Sequence, residues 1–147
     1  MTKFIFRNRY IKIAVLFLVY ATIAYLFMPL AIYSLRSYFM CYGSCSAARI
    51  VSAPWLYHNR TVTVDGFLRL KFEGNALYPL EEYYRYGLFK EGIWVNASKE
   101  IMAKKDAFDS KYVTITATFN ALEHGHGDLF VGSLKEIKKI QIKPRLD

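Results

Sequence analysis

The sequence predicts a mainly β protein with short helices, in which a small five-stranded barrel follows one transmembrane helix. Three observations lead to this fold class: an uncharged apolar stretch near the N-terminus, and two long segments in which apolar and polar residues alternate. Hydrophobic residues make up 54% of the 147 residues and aromatic residues 17%, which is too apolar for a disordered chain. The predicted organisation is a basic N-terminus at 1–12, a transmembrane helix at 13–35, a juxtamembrane linker at 36–59 and the barrel domain at 60–143.

The stretch from Ile13 to Leu35 contains 23 residues without a formal charge. As a helix it would measure ~34 Å, which is enough to cross a hydrocarbon core of ~30 Å. A cleaved signal peptide is the alternative, but its apolar region is usually only ~7–15 residues long, so we favour a retained anchor. The residues that we assign to the bilayer include Ile13, Leu16, Phe17, Leu26 and Leu30.

The positive charge is concentrated near this stretch. Of the net charge of +8, residues 1–49 carry +6 without any acidic residue, and residues 50–147 carry only +2. Four basic residues precede the apolar stretch and Arg36 and Arg49 follow it, so the positive-inside rule places the N-terminus in the cytoplasm and the domain across the membrane. In a bacterium this describes a single-pass inner-membrane protein with a periplasmic domain. The domain lacks the clustered basic face of a nucleic-acid binder, and we expect no nucleic-acid partner.

Two cysteines follow the apolar stretch, Cys41 and Cys45. An exported location would permit a disulfide, but this spacing on a regular helix is poor geometry for one. Two juxtamembrane thiols and a loosely held disulfide both remain open.

The barrel domain begins with its clearest strand, from Thr61 to Phe72. Its apolar residues share one parity, as expected for a strand with one buried face. Gly66 lies inside the run and predicts a bulge or a sharp coil in this first strand. The residues on the predicted buried face are Val62, Val64, Leu68, Leu70 and Phe72.

The later elements follow from the same patterns. Threonines 114, 116 and 118 form one face of a strand over Tyr112–Phe119, and apolar residues form the other. Five strands with a bulged first strand match a Greek-key barrel of the OB type better than a sandwich, which needs more strands. The other predicted elements are a helical turn at 53–56, strands at 76–78, 93–96 and 129–142, helices at 79–86 and 98–105, and a loop at 123–128.

Several short segments resemble a family of small bacterial proteins of uncharacterised function, exported or membrane-attached, with an OB-like domain. The resemblance covers roughly residues 50–142 and implies a fold, but no activity and no catalytic residues. The segments that carry it are Val64–Leu68, Phe72–Tyr78, Gly92–Val95, Lys111–Val113, Thr118–Asn120, Gly125–Gly127, Leu129–Phe130 and Gly132–Leu134.

Polar and aromatic residues near the turns are the candidate site. Two histidines and a carboxylate in one loop are suitable ligands for a transition metal, which predicts a metal site at His124, His126 and Asp128. The alternative is a hairpin whose glycines supply positive φ angles, and because structural zinc normally takes four ligands, we favour this alternative. The candidate ligand-binding residues are Glu73, Asn75, Tyr78, Trp94 and His126.

Two classes of function remain open. The sequence contains no nucleophile elbow, P-loop or zinc-protease motif, so we expect no enzyme activity and no cofactor. The first hypothesis is therefore a non-enzymatic envelope protein, anchored in the lipid bilayer, whose barrel binds a protein or ligand partner. One version is an immunity-like or exclusion protein. The alternative is a metal-dependent or enzymatic envelope protein that uses the loop from His124 to Asp128.

Overall fold

The computed structural model describes residues 13, 15–28 and 43–144, in two separate units, Met1–Met40 and Cys41–Asp147. In the first unit, residues 15–28 form helix α1, and Ile13, Leu16, Phe17 and Leu26 are all exposed. Within the described residues, no helix has both the length and the apolar character needed to cross a membrane. The rest of the predicted span, including Leu30, and the predicted N-terminus at 1–12 lie outside the described residues.

In the second unit, five strands close into a barrel. The strands follow one another in the order β2, β3, β4, β6 and β5, and β5 pairs with β2 to complete the ring. All pairings within the ring are antiparallel except the one between β4 and β6. This confirms the prediction of a mainly β protein with a five-stranded barrel and short helices. The strands are β1 (Cys45–Ser46), β2 (Arg60–Arg69), β3 (Ala76–Tyr78), β4 (Ile93–Val95), β5 (Lys111–Asn120) and β6 (Ser133–Ile142).

The register irregularity lies in a different strand from the one that we predicted. Strand β2 pairs with β5 without interruption through Gly66, whereas the pairing of β5 with β6 shifts between Thr116 and Thr118. Glu136, on the β6 side of this shift, has a φ of 52°. Gly66 is needed for a different reason, because a Cβ there would lie 2.5 Å from the carbonyl oxygen of Tyr78. The glycine lets β3 cross close to β2.

Part of the predicted linker belongs to the barrel unit. Strand β1 pairs in parallel with β2, and helix α2 (Ala47–Ser52) and a 3₁₀ turn (Pro54–Leu56) follow it. Cys45, Ala47 and Ile50 are almost fully buried in the core, and Cys45 is disulfide-bonded. The alternation of apolar and polar residues could not predict this segment, because its strand is only two residues long. Cys41 lies outside the described residues.

The remaining helices connect the strands. Helix α3 (Glu81–Arg85) and a 3₁₀ turn (Phe89–Glu91) lie between β3 and β4, and helices α4 (Lys99–Ala103) and α5 (Lys105–Phe108) lie between β4 and β5. The Ser98 side chain caps α4 by accepting a hydrogen bond from the backbone nitrogen of Ile101.

Apolar residues pack on both faces of β3 and β4. Leu77, Ile93 and Val95 belong to the main core inside the barrel. The residues of opposite parity belong to a second cluster on the outer face, because successive side chains of a strand point to opposite sides. This outer cluster consists of Ala76, Tyr78 and Phe130, with Tyr83, Tyr84 and Trp94 packed against it.

Candidate binding site

Two connections of the barrel meet at one ion pair. Glu73 lies in the connection between β2 and β3, and His126 lies in the connection between β5 and β6. Their side chains approach to 3.6 Å between Glu73 Oε2 and His126 Nε2, and each is about half exposed. The pair is a salt bridge when the imidazole carries a second proton. The structure therefore brings together two of the predicted site residues, although 52 positions separate them in the sequence.

Trp94 lies under the same loop, in close contact with Gly125, which directly precedes His126. A Cβ on Gly125 would lie 2.5 Å from Trp94 Cγ and Cδ2, so the loop backbone runs directly across the indole ring. Gly125 has φ 67° and ψ −157°, a conformation essentially restricted to glycine. We call Glu73, Trp94, Gly125 and His126 the loop cluster.

The end of β2 presents Glu73 to solvent. Strand β2 ends at Arg69, and the next backbone nitrogen, of Leu70, donates to the Asp109 carboxylate at 2.7 Å instead of continuing the ladder. The chain then turns, and Glu73 has a left-handed φ of 55°. Phe72, which we predicted to be on the buried face, is 91% exposed because it lies in this turn. An exposed aromatic side chain thus directly precedes Glu73.

The base of the other connection is held by Glu123. Its carboxylate accepts hydrogen bonds from Lys135 Nζ, from Ser133 Oγ at 3.1 Å and from Asn120 Nδ2 at 3.0 Å. The bond from Lys135 lowers the pKa of Glu123, and the bonds from Ser133 and Asn120 lower it further, against a smaller opposing effect of burial. This network ties the first residues of the loop to β6.

The predicted metal ligands do not come together as a site. His124 Nδ1 is 2.8 Å from the carbonyl oxygen of Phe130, and the Phe130 nitrogen donates back to the His124 carbonyl oxygen at 3.1 Å. His126 instead faces Glu73. Among the described residues, no group of three His, Cys, Asp or Glu side chains could hold a metal ion. The glycines on both sides of His126 let the two imidazoles form these separate contacts.

Tyr78 and Asn75 are not part of an exposed binding surface. Tyr78 is 1% exposed and lies in the outer cluster, so it cannot contact a ligand from solvent. Burial, together with neighbouring Tyr84 and against a smaller opposing effect of Arg69, raises the pKa of Tyr78 to about 12. Asn75 contributes its carbonyl oxygen to the Val95 nitrogen at 2.9 Å. Its buried side-chain oxygen has no hydrogen-bond partner among the described residues.

An apolar groove of about 410 Å³ is lined in part by residues of the same loop, and the sequence analysis missed it. Its walls come from the 3₁₀ turn at Pro54, from Lys90 and from the loop before β6. Trp55 is 66% exposed there, and Phe130 forms the buried floor. The one signal in the sequence was a tryptophan placed in a predicted turn, where burial is unusual. The residues that line the groove include Trp55, Lys90, Asp128, Leu129 and Phe130.

A polar network elsewhere on the barrel anchors both ends of the unit. Asp65 accepts hydrogen bonds from Lys143 Nζ at 2.7 Å, from Ser44 Oγ at 2.7 Å and from Thr114 Oγ1 at 2.6 Å. Partial burial alone would raise the pKa of Asp65, but these three bonds and the charge of Lys143 outweigh it and hold the pKa below its ordinary value. Asp65 therefore joins the segment before β1 to the end of β6.

The loop cluster can contact a ligand through an accessible carboxylate and an accessible imidazole on two connections that a rigid barrel supports, with Trp94 packed under Gly125. Comparisons with protein-family models, with curated proteins and with solved structures found no match to this chain.

Proposed function

We propose that the protein is a non-enzymatic binding module of the bacterial envelope, attached to the membrane by its N-terminal segment. The loop cluster contacts a protein partner. The observation that carries this proposal is the convergence of Glu73 and His126 from two connections, beside Trp94.

The barrel topology supports a binding role. Numbered within the ring, the strands follow the order 1-2-3-5-4, with a parallel pair between the third and the fifth. We interpret this arrangement as an OB-type Greek-key barrel. In OB folds, the ligand surface is bordered by the connection between the first two strands and the connection between the last two. Glu73 and His126 lie in these two connections.

Membrane attachment draws support from the sequence and from α1. The uncharged run is 23 residues long, and the described part of α1 exposes large apolar side chains along its whole length. A helix that is apolar all round is typical of a membrane span or of the interior of a large protein. The disulfide at Cys45 supports an oxidising compartment for the barrel, in agreement with a cytoplasmic N-terminus and a periplasmic domain.

A protein partner fits the site better than a nucleic acid. The carboxylate of Glu73 would repel phosphate groups, and the barrel unit carries little net charge. A half-exposed ion pair next to exposed Phe72 resembles the mixture of polar and aromatic groups found in protein interfaces. An immunity-like or exclusion protein is one role of this kind, in which the partner would be an incoming toxin or phage component.

Site-specific photo-crosslinking in intact membranes tests this proposal. A photoreactive amino acid is placed in the full-length chain at Phe72 or at His126, and at Gln141 as an exposed control on β6. We expect one adduct of discrete mass from Phe72 and His126, and none from Gln141. If Phe72 and His126 give no adduct, or if all three positions give the same adducts, the loop cluster is not a partner site.

The second candidate is a metal-dependent or enzymatic envelope protein that uses the loop from His124 to Asp128. The contact between Glu73 and His126 favours this candidate, because a carboxylate and an imidazole can act as an acid–base pair. The conservative variant Glu73→Gln separates the two candidates. If the protein is an enzyme, Glu73→Gln should abolish its activity in the cell and leave the Phe72 adduct in place. If it is a binding module, the cellular activity and the Phe72 adduct should be lost together or kept together.

A further inference from the structure

We propose that the apolar groove faces the membrane and that the bilayer surface covers it. This inference rests on the proposed membrane attachment. It assigns a second surface to the barrel unit, whose lining does not include Glu73 or His126. We call Trp55, Phe89, Leu122 and Leu129 the groove face.

The groove face consists of four large apolar side chains that are exposed to water. Trp55 is 66% exposed, Leu122 62%, and Phe89 and Leu129 43% each. Trp55 and Leu129 line one groove, and Phe89 contacts the groove floor, with its ring 6.2 Å from that of Phe130. Leu122 directly follows Ala121, another lining residue. A groove lined by exposed apolar residues such as Trp55 and Leu129 is typical of a protein or membrane contact.

The length of the chain favours a membrane. Eight residues, 36–43, separate the uncharged run from Ser44, which bonds to Asp65 in the barrel unit. Fully extended, eight residues span at most ~28 Å. A unit of this size has a radius of gyration of ~13 Å, so the tether cannot hold it away from the surface by more than about its own width. The tether therefore keeps the unit within reach of the bilayer, and an apolar face loses the least on leaving water.

The chemistry of the groove suits the interfacial region. Tryptophan is enriched where lipid headgroups meet the acyl chains, and a lysine can extend its charge toward the phosphates while its stem packs on apolar groups. Lys90 lines the groove, but so does Asp128, and their charges oppose each other. Docking is therefore driven by apolar burial, and we expect it to depend little on the content of anionic lipid.

The two tryptophans of the chain supply the test. The full-length chain is reconstituted into phosphatidylcholine vesicles that contain lipid brominated near the headgroup. Trp94→Phe leaves Trp55 as the reporter, and Trp55→Phe leaves Trp94 as the matched control. Because an interfacial tryptophan lies at headgroup level, we expect the bromolipid to quench Trp55 at least about twofold more strongly than Trp94. Leu129→Ser should reduce the quenching of Trp55, and Gln141→Ser should not.

The outcomes separate this inference from the proposed function. If the chain does not float with the vesicles, membrane attachment itself fails. If it floats but bromolipid quenches Trp55 no more than Trp94, the bilayer does not cover the groove. If Trp55 is also shielded from a soluble quencher in that case, a protein or a second copy of the chain covers the groove, and the inference is overturned.

Discussion

Gly125→Ala tests the geometry of the loop cluster most directly. Two costs add at this position. The backbone conformation, φ 67° and ψ −157°, is one in which a non-glycine residue costs about 1–3 kcal/mol. The new Cβ would also lie 2.5 Å from two atoms of Trp94, and relieving such an overlap typically costs about 1–3 kcal/mol. Because Trp94 is half-buried and can move, we take the lower part of each range, which gives about 3 kcal/mol in the free energy of unfolding.

Gly127→Ala is the matched control. Gly127 also has φ 67°, but its ψ of 12° lies in the left-handed helical region, which costs an L-residue roughly 1–2 kcal/mol. A Cβ there would meet Leu129 Cγ at 3.4 Å, close to ordinary contact. The difference between the two variants, about 1–2 kcal/mol, therefore reports the contact with Trp94 and the special ψ of Gly125.

The assay is denaturant unfolding of the full-length chain in nanodiscs, followed by tryptophan fluorescence. In a Trp55→Phe background the emission reports Trp94 alone. If the loop detaches instead of destabilising the whole barrel, the Trp94 emission of Gly125→Ala moves to longer wavelength as the ring becomes exposed. If Gly125→Ala matches Gly127→Ala in both stability and emission, the loop does not lie across Trp94 and the loop cluster is refuted.

Three further predictions concern the barrel itself. Folding lowers the pKa of Asp65, so the stabilisation from its ionised carboxylate is present above about pH 4 and is lost as the pH falls. The difference in unfolding free energy between wild type and Asp65→Asn should therefore shrink below that pH. A difference that stays constant would contradict the hydrogen-bond network around Asp65. Folding raises the pKa of Tyr78 to about 12, so the stabilisation from its neutral hydroxyl is complete below about pH 10 and is lost as the pH rises. Between about pH 10 and about pH 12, Tyr78→Phe should therefore lose less stability than wild type, as measured by denaturant unfolding. In the same assay, Gly132→Ala should lower the free energy of unfolding by about 2–3 kcal/mol, because its Cβ would lie 2.5 Å from the buried ring of Phe119. The control Gly74→Ala should change it by less than about 1 kcal/mol, because its nearest neighbours are at ordinary contact distance. Equal effects of the two variants would refute the close packing around Gly132.

Alternation predicted the regular strands well because burial on one face imposes a period of two. In β5, Val113, Ile115, Ala117 and Phe119 are all fully buried, and the intervening threonines bond to neighbouring strands, as in the 3.0 Å contact between Thr63 and Thr116. The same reasoning failed where an apolar residue leaves the ladder. Residues 129–132 were predicted to begin the last strand, but β6 begins at Ser133. Phe130 packs instead on the outer face of the barrel.

The site was only partly predictable, for a related reason. Glu73, Trp94 and His126 were candidates because of their chemistry, but the sequence does not contain the closure of the barrel that brings them together. The apolar groove was missed because its walls come from three distant segments, around residues 54, 90 and 129. Tyr78 was placed in the site because its aromatic ring could stack on a ligand. Helix α3 covers it, with the ring of Tyr84 5.8 Å away.

Under the proposed function, the covering of β3 and β4 accounts for recognition through the loops. Barrels of the OB type usually bind ligands on the outer face of their second and third strands, the places in the ring that β3 and β4 hold here. Here the buried side chains of Tyr78 and Phe130 occupy that face. At the edge of the face, the Arg69 guanidinium lies 4.4 Å from the centre of the Tyr84 ring. A ligand would have to displace an aromatic cluster to reach the strands, at a cost comparable to opening part of the core. The chemistry that stays accessible is carried on the connections: Glu73 and His126 contact each other, and Trp55 and Leu129 line the groove. A single loop thus borders both surfaces, so a change that detaches it, such as Gly125→Ala, should weaken partner crosslinking and bilayer contact together.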